Sequence, residues 1–198
     1  MGYPASLLVV EVAKMITRDE AMALLESFEP EEHMIHHALE SEAVMRGLAQ
    51  RLGRDVELWG LTGLLHDLDY PQTKDNPLRH GLDAMGPLEG KLPEQALHAI
   101  RAHNGARTGV APETELDFAL RCAETVTGLV VANALVRQTK LAGMKPKSLN
   151  KKMKEKAFAA NVERDTIREC EKIGLELGDF FQIAIESVSS IADRVGLG

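Results

Sequence analysis

Cysteine is scarce in this chain, which has only Cys122 and Cys170 in 198 residues, far apart in segments of helical pattern. Neither belongs to a Cys-x-x-Cys pair, so the sequence argues against both a disulfide framework and a zinc site of that type. Such cysteine usage is typical of a reducing compartment. We therefore expect the protein in the cytoplasm.

Long apolar runs are also lacking. The longest apolar region, Val126–Val136, is interrupted by Thr127, Gly128 and Asn133, and it is shorter than the roughly 20 residues that span a bilayer. The first residues, 1–6, carry no basic side chain, and the apolar stretch after them is short and contains an acid. We expect neither a membrane span nor a signal peptide.

Positive charge is in the minority. Lys and Arg number 23 against 30 Asp and Glu, which gives a formal net charge of −7. The phosphate backbone of nucleic acids repels an acidic chain, so nucleic acid is not an expected partner. The length is ample for one domain with a substantial core, and we expect residues 1–198 to form it.

Strand alternation is almost absent, whereas helical periodicity runs through nearly every segment. Local signals mark the boundaries, such as the capping box at Thr17 and the stop at Gly53. The predicted helices cover 17–28, 30–52, 55–67, 80–88, 93–103 and 112–138, others begin at 148, 163 and 176, and residues 69–79 form a loop. The predicted fold class is all-α, a single-domain helical bundle with additional C-terminal helices packed on a core of about 30–137.

The seven histidines can be sorted by helical geometry, at about 100° per residue. His37 falls on the apolar face of the second predicted helix with Met34 and Leu48, whereas His36 points away. Standing alone, His37 would be interpreted as a core histidine with a satisfied ring.

His66 and Asp67 close the apolar run 58–65. Buried imidazole and carboxylate groups are costly without a partner, and a divalent metal is such a partner. His103 ends another helix on its apolar side, and His80 follows the predicted loop. Their joint occurrence favours one shared site.

A carboxylate on the long helix can complete this cluster. Glu124 lies at the margin of the apolar arc of that helix. An acid there either reaches solvent or is held by a cation, and the residues alone leave both interpretations open.

In this order the residues resemble the signature of the HD-domain superfamily of metal-dependent phosphohydrolases, His…His-Asp…Asp. His37 matches the first histidine, and the segment 63–67 matches the characteristic end of the HD helix. His80 and His103 look like the two additional histidines of the branch with six ligands and two metals. The likeness covers roughly residues 30–137, and the chain is similar to small prokaryotic HD proteins.

The last ligand departs from that signature. The family has an aspartate there, whereas this chain has Glu124. The resemblance makes Glu124 a ligand in an altered geometry, or else marks a lost ligand, with Asp117 a less suitable substitute two turns earlier.

The resemblance implies one or two divalent ions, from among Mn, Fe, Zn, Ni and Co, which imidazole and carboxylate ligands suit. The implied ligands are His37, His66, Asp67, His80, His103 and Glu124. Asp67 would bridge two ions, because one carboxylate has two oxygens to share.

The implied reaction is the hydrolysis of a phosphate ester by metal-activated water, with Asp67 in the catalytic centre. Asp69 is a second catalytic candidate, which would orient a ligand or assist proton transfer. The alternative is that Asp69 only forms the turn.

Basic residues suggest where substrate binds. Arg101 and Arg107 flank His103 and are candidates for binding a phosphate. Residues 140–156, beginning with Lys140, hold seven lysines and one acid and are interpreted as a phosphate-binding arm, a nucleic-acid contact or a solvated basic helix. No aromatic residue lies between these lysines, which argues against base stacking.

Three functions therefore stay open. The leading one is a phosphohydrolase acting on a nucleotide or another small phosphorylated metabolite, with no membrane partner. The others are a di-iron oxygenase of the HD type and a non-catalytic regulatory or ligand-binding module. The apolar positions of residues 163–195 can also form the seam of a homodimer.

Overall fold

The computed structural model describes residues 15–198. The expectation about a signal peptide falls on the first residues and lies outside this part of the chain.

Within residues 15–198 the regular structure is helical and no strand occurs, which confirms the predicted all-α class. The α-helices of these residues are, in chain order, α1 (Arg18–Ser27), α2 (Glu32–Leu52), α3 (Val56–Leu65), α4 (Tyr70–Thr73), α5 (Met85–Leu88), α6 (Glu94–His103), α7 (Gly105–Thr108), α8 (Glu115–Leu135), α9 (Pro146–Lys154), α10 (Arg164–Ile167) and α11 (Leu177–Ser189). Two 3₁₀ helices, Arg168–Ile173 and Ala192–Val195, follow α10 and α11.

Side-chain caps begin several of these helices. Thr17 caps α1 in a capping box with Glu20, as the sequence predicts. The predicted helix 112–138 begins later, at Glu115, because Thr114 and Asp117 form a second capping box. Asp117, considered as a substitute ligand, is therefore a structural residue at the start of α8.

The segment after α3 differs from its prediction. The predicted loop 69–79 contains the short helix α4, and the predicted helix 80–88 is α-helical only at α5. The backbone N–H groups of Gly81 and Ala84 donate to the side chain of Asp69. In a regular helix these two N–H groups would donate to backbone carbonyls. Because they donate to Asp69 instead, the segment before α5 does not form a regular helix.

The core is built around α2, α3 and α8. Helix α2 packs against α3 and α8, α6 packs against α8, and α11 covers α2 and α8. One hydrophobic cluster runs from Ala21 in α1 to Leu197, and Phe180 and Phe181 of α11 are fully buried in it. The C-terminal helices therefore share a core with the helices that precede them.

Helix α8 is long and apolar enough to cross a membrane, judged by length and composition among the described residues. Thr127 and Asn133 lie inside it and are buried. The expectation that the apolar region is too short to span a bilayer counted only residues 126–136, whereas the helix has 21 residues. In its most apolar window 56% is buried against the rest of the protein. A core helix passes the same test, so these properties are weak evidence for a span.

Candidate metal centre

Four histidines and one aspartate meet beside α2. His37 lies in the second turn of α2, and His66 and Asp67 follow the last residue of α3. His80 lies in the turns before α5, and His103 is the last residue of α6. The structure therefore brings together five of the six predicted ligands.

Asp67 is at the centre of this cluster. Its Oδ1 lies 3.2, 3.1 and 3.3 Å from the Nε2 atoms of His66, His80 and His103, and its Oδ2 lies 3.6 Å from Nε2 of His37. The ligand atoms form two groups, each within 4.8 Å: His37, His66 and Asp67, and Asp67, His80 and His103. Because Asp67 belongs to both groups, two ions bound here would share it.

The outer ring nitrogens of His66 and His103 are hydrogen-bonded to helix carbonyls. Nδ1 of His66 lies 2.8 Å from the oxygen of Gly63, and Nδ1 of His103 lies 2.6 Å from that of Ile100. A carbonyl only accepts, so each Nδ1 carries the proton and donates. In the neutral ring each Nε2 then directs a lone pair at the centre.

His37 and His80 are oriented in the same way by side chains. Nδ1 of His37 lies 3.1 Å from the hydroxyl of Thr127, which itself donates to the carbonyl of Glu124 and so accepts from the ring. Nδ1 of His80 lies 3.0 Å from Oδ1 of Asp69. Outer bonds of this kind are typical of histidines that ligate metals.

The facing nitrogens fit a cation between them. The Nε2 atoms of His37 and His66 are 3.2 Å apart, and those of His80 and His103 are 3.0 Å apart. Lone pairs at that separation repel, and the carboxylate of Asp67 adds negative charge. Imidazole nitrogen with carboxylate oxygen suits Mn, Fe, Zn, Ni or Co, so the residues fit a pair of divalent ions.

Without a metal, a proton supplies the positive charge. Burial lowers the pKa of His66 to about 3. Burial also disfavours a charged His80, but hydrogen bonds and charges of Asp67 and Asp69 outweigh it and raise the pKa of His80 to about 10. Burial opposes the ionisation of Asp67 as well, yet the surrounding ring nitrogens hold the pKa of its carboxyl well below the usual range. These shifts favour a protonated His80 ring beside an ionised Asp67.

Asp69 lies behind His80. It is 1% exposed, and while one oxygen faces His80 the other accepts the N–H groups of Gly81 and Ala84 at 2.8 and 3.0 Å. Both oxygens are occupied within the fold. Of the roles predicted for Asp69, these contacts fit the orientation of a ligand, so we assign Asp69 as a positioning residue for His80.

Gly81 allows the chain to approach His103 closely. Its φ is +87°, and a Cβ there would lie 2.8 Å from the oxygen of Ile100 and 3.2 Å from Cε1 of His103. A larger residue would push this segment away. The glycine thus keeps the ring centroids of His80 and His103 at 4.7 Å.

Two adjoining cavities open onto the cluster. One of about 460 Å³ is bordered by Asp67, His80 and His103, and its outer wall comprises Asn104, Ala106, Arg107, Arg121, Glu124, Thr125, Glu163 and Thr166. The other, of about 270 Å³, is bordered by His37 and shares Glu124, Thr125 and Glu163 with the first. A larger cavity of about 690 Å³ between α2 and α11 contains none of the cluster residues.

Glu124 borders both cavities but belongs to neither ligand group. The hydroxyl of Thr125 donates to its carboxylate at 2.5 Å, and burial raises the pKa of Glu124. Glu124 therefore lies outside both ligand groups, although His37 and His103 are close enough for their charges to oppose the effect of burial on its pKa.

Of the three basic residues predicted to bind substrate, only Arg107 lines the cavity. Arg101 pairs with Glu94 instead, since two residues along a helix turn a side chain by about 200° from His103. Lys140 lies beyond the end of α8 and donates to the oxygens of the last residues, Gly196 and Gly198. The structure therefore does not bring Arg101 or Lys140 to the wall of this cavity.

Arg121 was missed by the sequence analysis. Its guanidinium pairs with Glu169 at 2.7 and 3.2 Å, and Nη1 donates to the carbonyls of Ala102 and His103 at 3.2 and 2.9 Å. It thereby holds the end of α6 against α8. Glu169 is 48 residues away in sequence, so no local pattern could reveal the contact.

Comparison with family models matches residues 34–126 to a family described as the HD domain. Searches of curated proteins and of solved structures find no match.

Proposed function

Residues 34–126 of this chain are an HD domain, and from that premise we propose that the protein is a metal-dependent hydrolase of phosphate esters. The substrate class is a nucleotide or another small phosphorylated metabolite. The observation that carries the proposal is the convergence of four imidazole Nε2 atoms on Asp67, each ring fixed by an outer hydrogen bond.

Two groups of residues would hold the metal. His37 and His66 would bind one ion and His80 and His103 the other, with Asp67 shared between them. When bound, such ions supply an activated water as nucleophile and neutralise charge on the phosphoryl group. The outer bonds of the histidines keep every Nδ1 protonated and so reserve every Nε2 for the metal.

The cavity wall would bind the substrate phosphate. Arg107 is exposed and borders the cavity next to His103, so its guanidinium is placed to bind phosphate oxygens. Arg121 is committed to Glu169 and to two carbonyls, and its role is to hold His103.

The experiment combines elemental analysis of the purified protein with measurement of phosphate release from a panel of nucleotides and sugar phosphates. Asp67→Asn removes the shared carboxylate, and we expect it to lose bound metal and phosphate release together. His33→Ala is the matched control, because His33 lies on the same helix as His37 with a side chain that is 68% exposed. We expect this variant to keep both properties.

Two other results would favour the alternative functions. Iron with an oxygen-dependent reaction and no phosphate release would support the oxygenase alternative. No stoichiometric metal in the purified protein or after reconstitution would contradict the proposal and favour a non-catalytic binding module.

A further inference from the structure

The larger of the two cavities at the cluster has few free cations. Arg121 is neutralised by Glu169, whereas Arg107 is exposed and forms no ion pair within residues 15–198. Beyond the metal ligands, Arg107 is therefore the one uncommitted cation on the described wall of this cavity.

The same wall carries two carboxyl groups. Glu124 and Glu163 border both cavities. Glu163 is exposed at the start of α10 and has no ion-pair partner in the described part of the chain. A ligand that extends beyond the metal ions therefore meets carboxyl oxygens at this rim, which accept hydrogen bonds from hydroxyl or amino groups. The exposed carboxylate of Glu163 also repels anions.

The backbone around Glu163 is held in place by its neighbours. The guanidinium of Arg164 donates to the carbonyls of Phe158, Ala159 and Val162. The side chain of Val162 packs against α8 at Gly128, where a Cβ would lie 3.0 Å from Cγ2. Glu163 thus lies in a segment that is held against α8, and it lines the same cavity as the metal ligands.

We infer that the site takes a phosphomonoester whose leaving group bears hydroxyl or amino groups, and that Glu163 disfavours di- and triphosphates. This inference rests on the proposed function. One phosphoryl group is matched by the metal ions and Arg107, whereas a second or third phosphate would extend towards Glu163 without a cation to bind it.

The reaction balances without a further reactant. Water adds to phosphorus, and the bond between phosphorus and the ester oxygen breaks with its electron pair on that oxygen. The oxygen takes a proton, which gives the free alcohol and inorganic phosphate. The donor groups of the alcohol remain against the carboxylate of Glu163 until release.

The test measures kcat/KM for AMP, ADP and ATP on the metal-loaded protein at a fixed free metal concentration. We expect AMP to exceed ATP by roughly tenfold or more, because juxtaposed like charges reject the wrong ligand. Glu163→Lys reverses the rim charge and should reduce the ratio of AMP to ATP by roughly tenfold, mainly through KM. Glu163→Gln should give an intermediate ratio.

A second comparison tests the leaving group. Glu163→Ala should raise KM for AMP several-fold and leave KM for phenyl phosphate unchanged, since phenol carries no hydroxyl or amino group beyond the ester oxygen. Glu26→Lys is the control for the charge change, because Glu26 is an exposed residue of α1 that does not line the cavity. It should leave the ratio of AMP to ATP at the wild-type value.

The same measurements distinguish a failure of this inference from a failure of the proposed function. If phosphate is released but ATP is preferred, or if Glu163→Lys does not change the ratio, the inference is wrong and the hydrolase proposal stands. If none of these substrates releases phosphate from metal-loaded protein, the inference fails, and the hydrolase proposal fails with it only if the sugar phosphates of the wider panel release none either.

Discussion

Asp69 contacts His80 with one carboxylate oxygen and backbone amides with the other. An amide in its place offers one acceptor and one donor, so in Asp69→Asn a donor must face either the His80 ring or those amides. We expect metal affinity to fall roughly 10- to 100-fold at the group that contains His80, as is typical when an outer partner of a metal ligand is changed. Metal titration calorimetry measures this.

The group that contains His37 should retain its affinity in that variant. Asp83→Asn is the control, because Asp83 lies in the same segment with a side chain that is 39% exposed. Wild-type affinity at both groups in Asp69→Asn would contradict the positioning role.

Glu40 gives the protein a pH-dependent stability. It is 5% exposed on α2, and burial raises its pKa to about 8 from an ordinary value of 4.5. Between these values the folded chain keeps a proton that the unfolded chain has lost. The free energy of unfolding should therefore fall as pH rises from 4.5 to about 8, by up to about 1.4 kcal/mol per pH unit.

Urea unfolding of metal-free protein across this range, with Glu40→Gln beside wild type, measures that contribution. The variant should gain stability relative to wild type as pH rises, while Glu26→Gln, an exposed change on α1, should not. A constant difference between Glu40→Gln and wild type at all pH values would rule out the buried-acid explanation.

At the scale of elements, α2 and α3 meet closely at Gly63. A Cβ on Gly63 would lie 2.8 Å from the backbone oxygen of Ser41 in α2. Gly63→Ala should therefore destabilise the fold by about 1–3 kcal/mol, since backbone cannot move aside as a flexible side chain does. It should also weaken metal binding, because His37 lies on α2 and His66 directly follows α3, and these two helices would separate.

Denaturant unfolding and metal titration check this expectation. Gly178→Ala is the control: Gly178 lies in α11 with open space around it, and alanine there should be neutral or slightly stabilising. A Gly63→Ala protein with unchanged stability would mean that α2 and α3 tolerate a larger separation.

Regular helices explain which parts of the site the sequence could predict. His37 was identified as inward-facing because α2 keeps its period from end to end, and His66 because the apolar run of α3 ends there. Arg121 and Glu163 were missed because their contacts depend on how distant segments pack. For Asp69 the sequence left a role at the site and a turn-forming role open, because its amide partners lie in a turn that no helical period describes.

At the scale of the whole molecule, the metal ligands come from four separate parts of the chain. Only the folded protein presents them together, so metal should stabilise the fold by mass action. At about 100 times its dissociation constant, Zn²⁺ or Mn²⁺ should add about 2.7 kcal/mol and raise Tm by roughly 5–10 °C. Differential scanning fluorimetry after removal of metal by a chelator measures the shift.

Ca²⁺ at the same concentration is the control ion, because it prefers oxygen ligands and should leave Tm nearly unchanged. Asp67→Asn should abolish the shift caused by Zn²⁺. An equal shift by both ions would indicate binding to surface carboxylates instead of the histidine cluster.

The contact between Arg121 and Glu169 determines how much of the chain is needed to form this site. The HD-domain match ends at residue 126 and includes every residue of the two ligand groups. A protein shortened to residues 34–126 would therefore keep all of these ligands. Yet the same cut would discard Glu169, the acid that steadies the arginine at the end of α6. A design that builds this centre into another protein would therefore need counterparts of Arg121 and Glu169 in addition to the ligands.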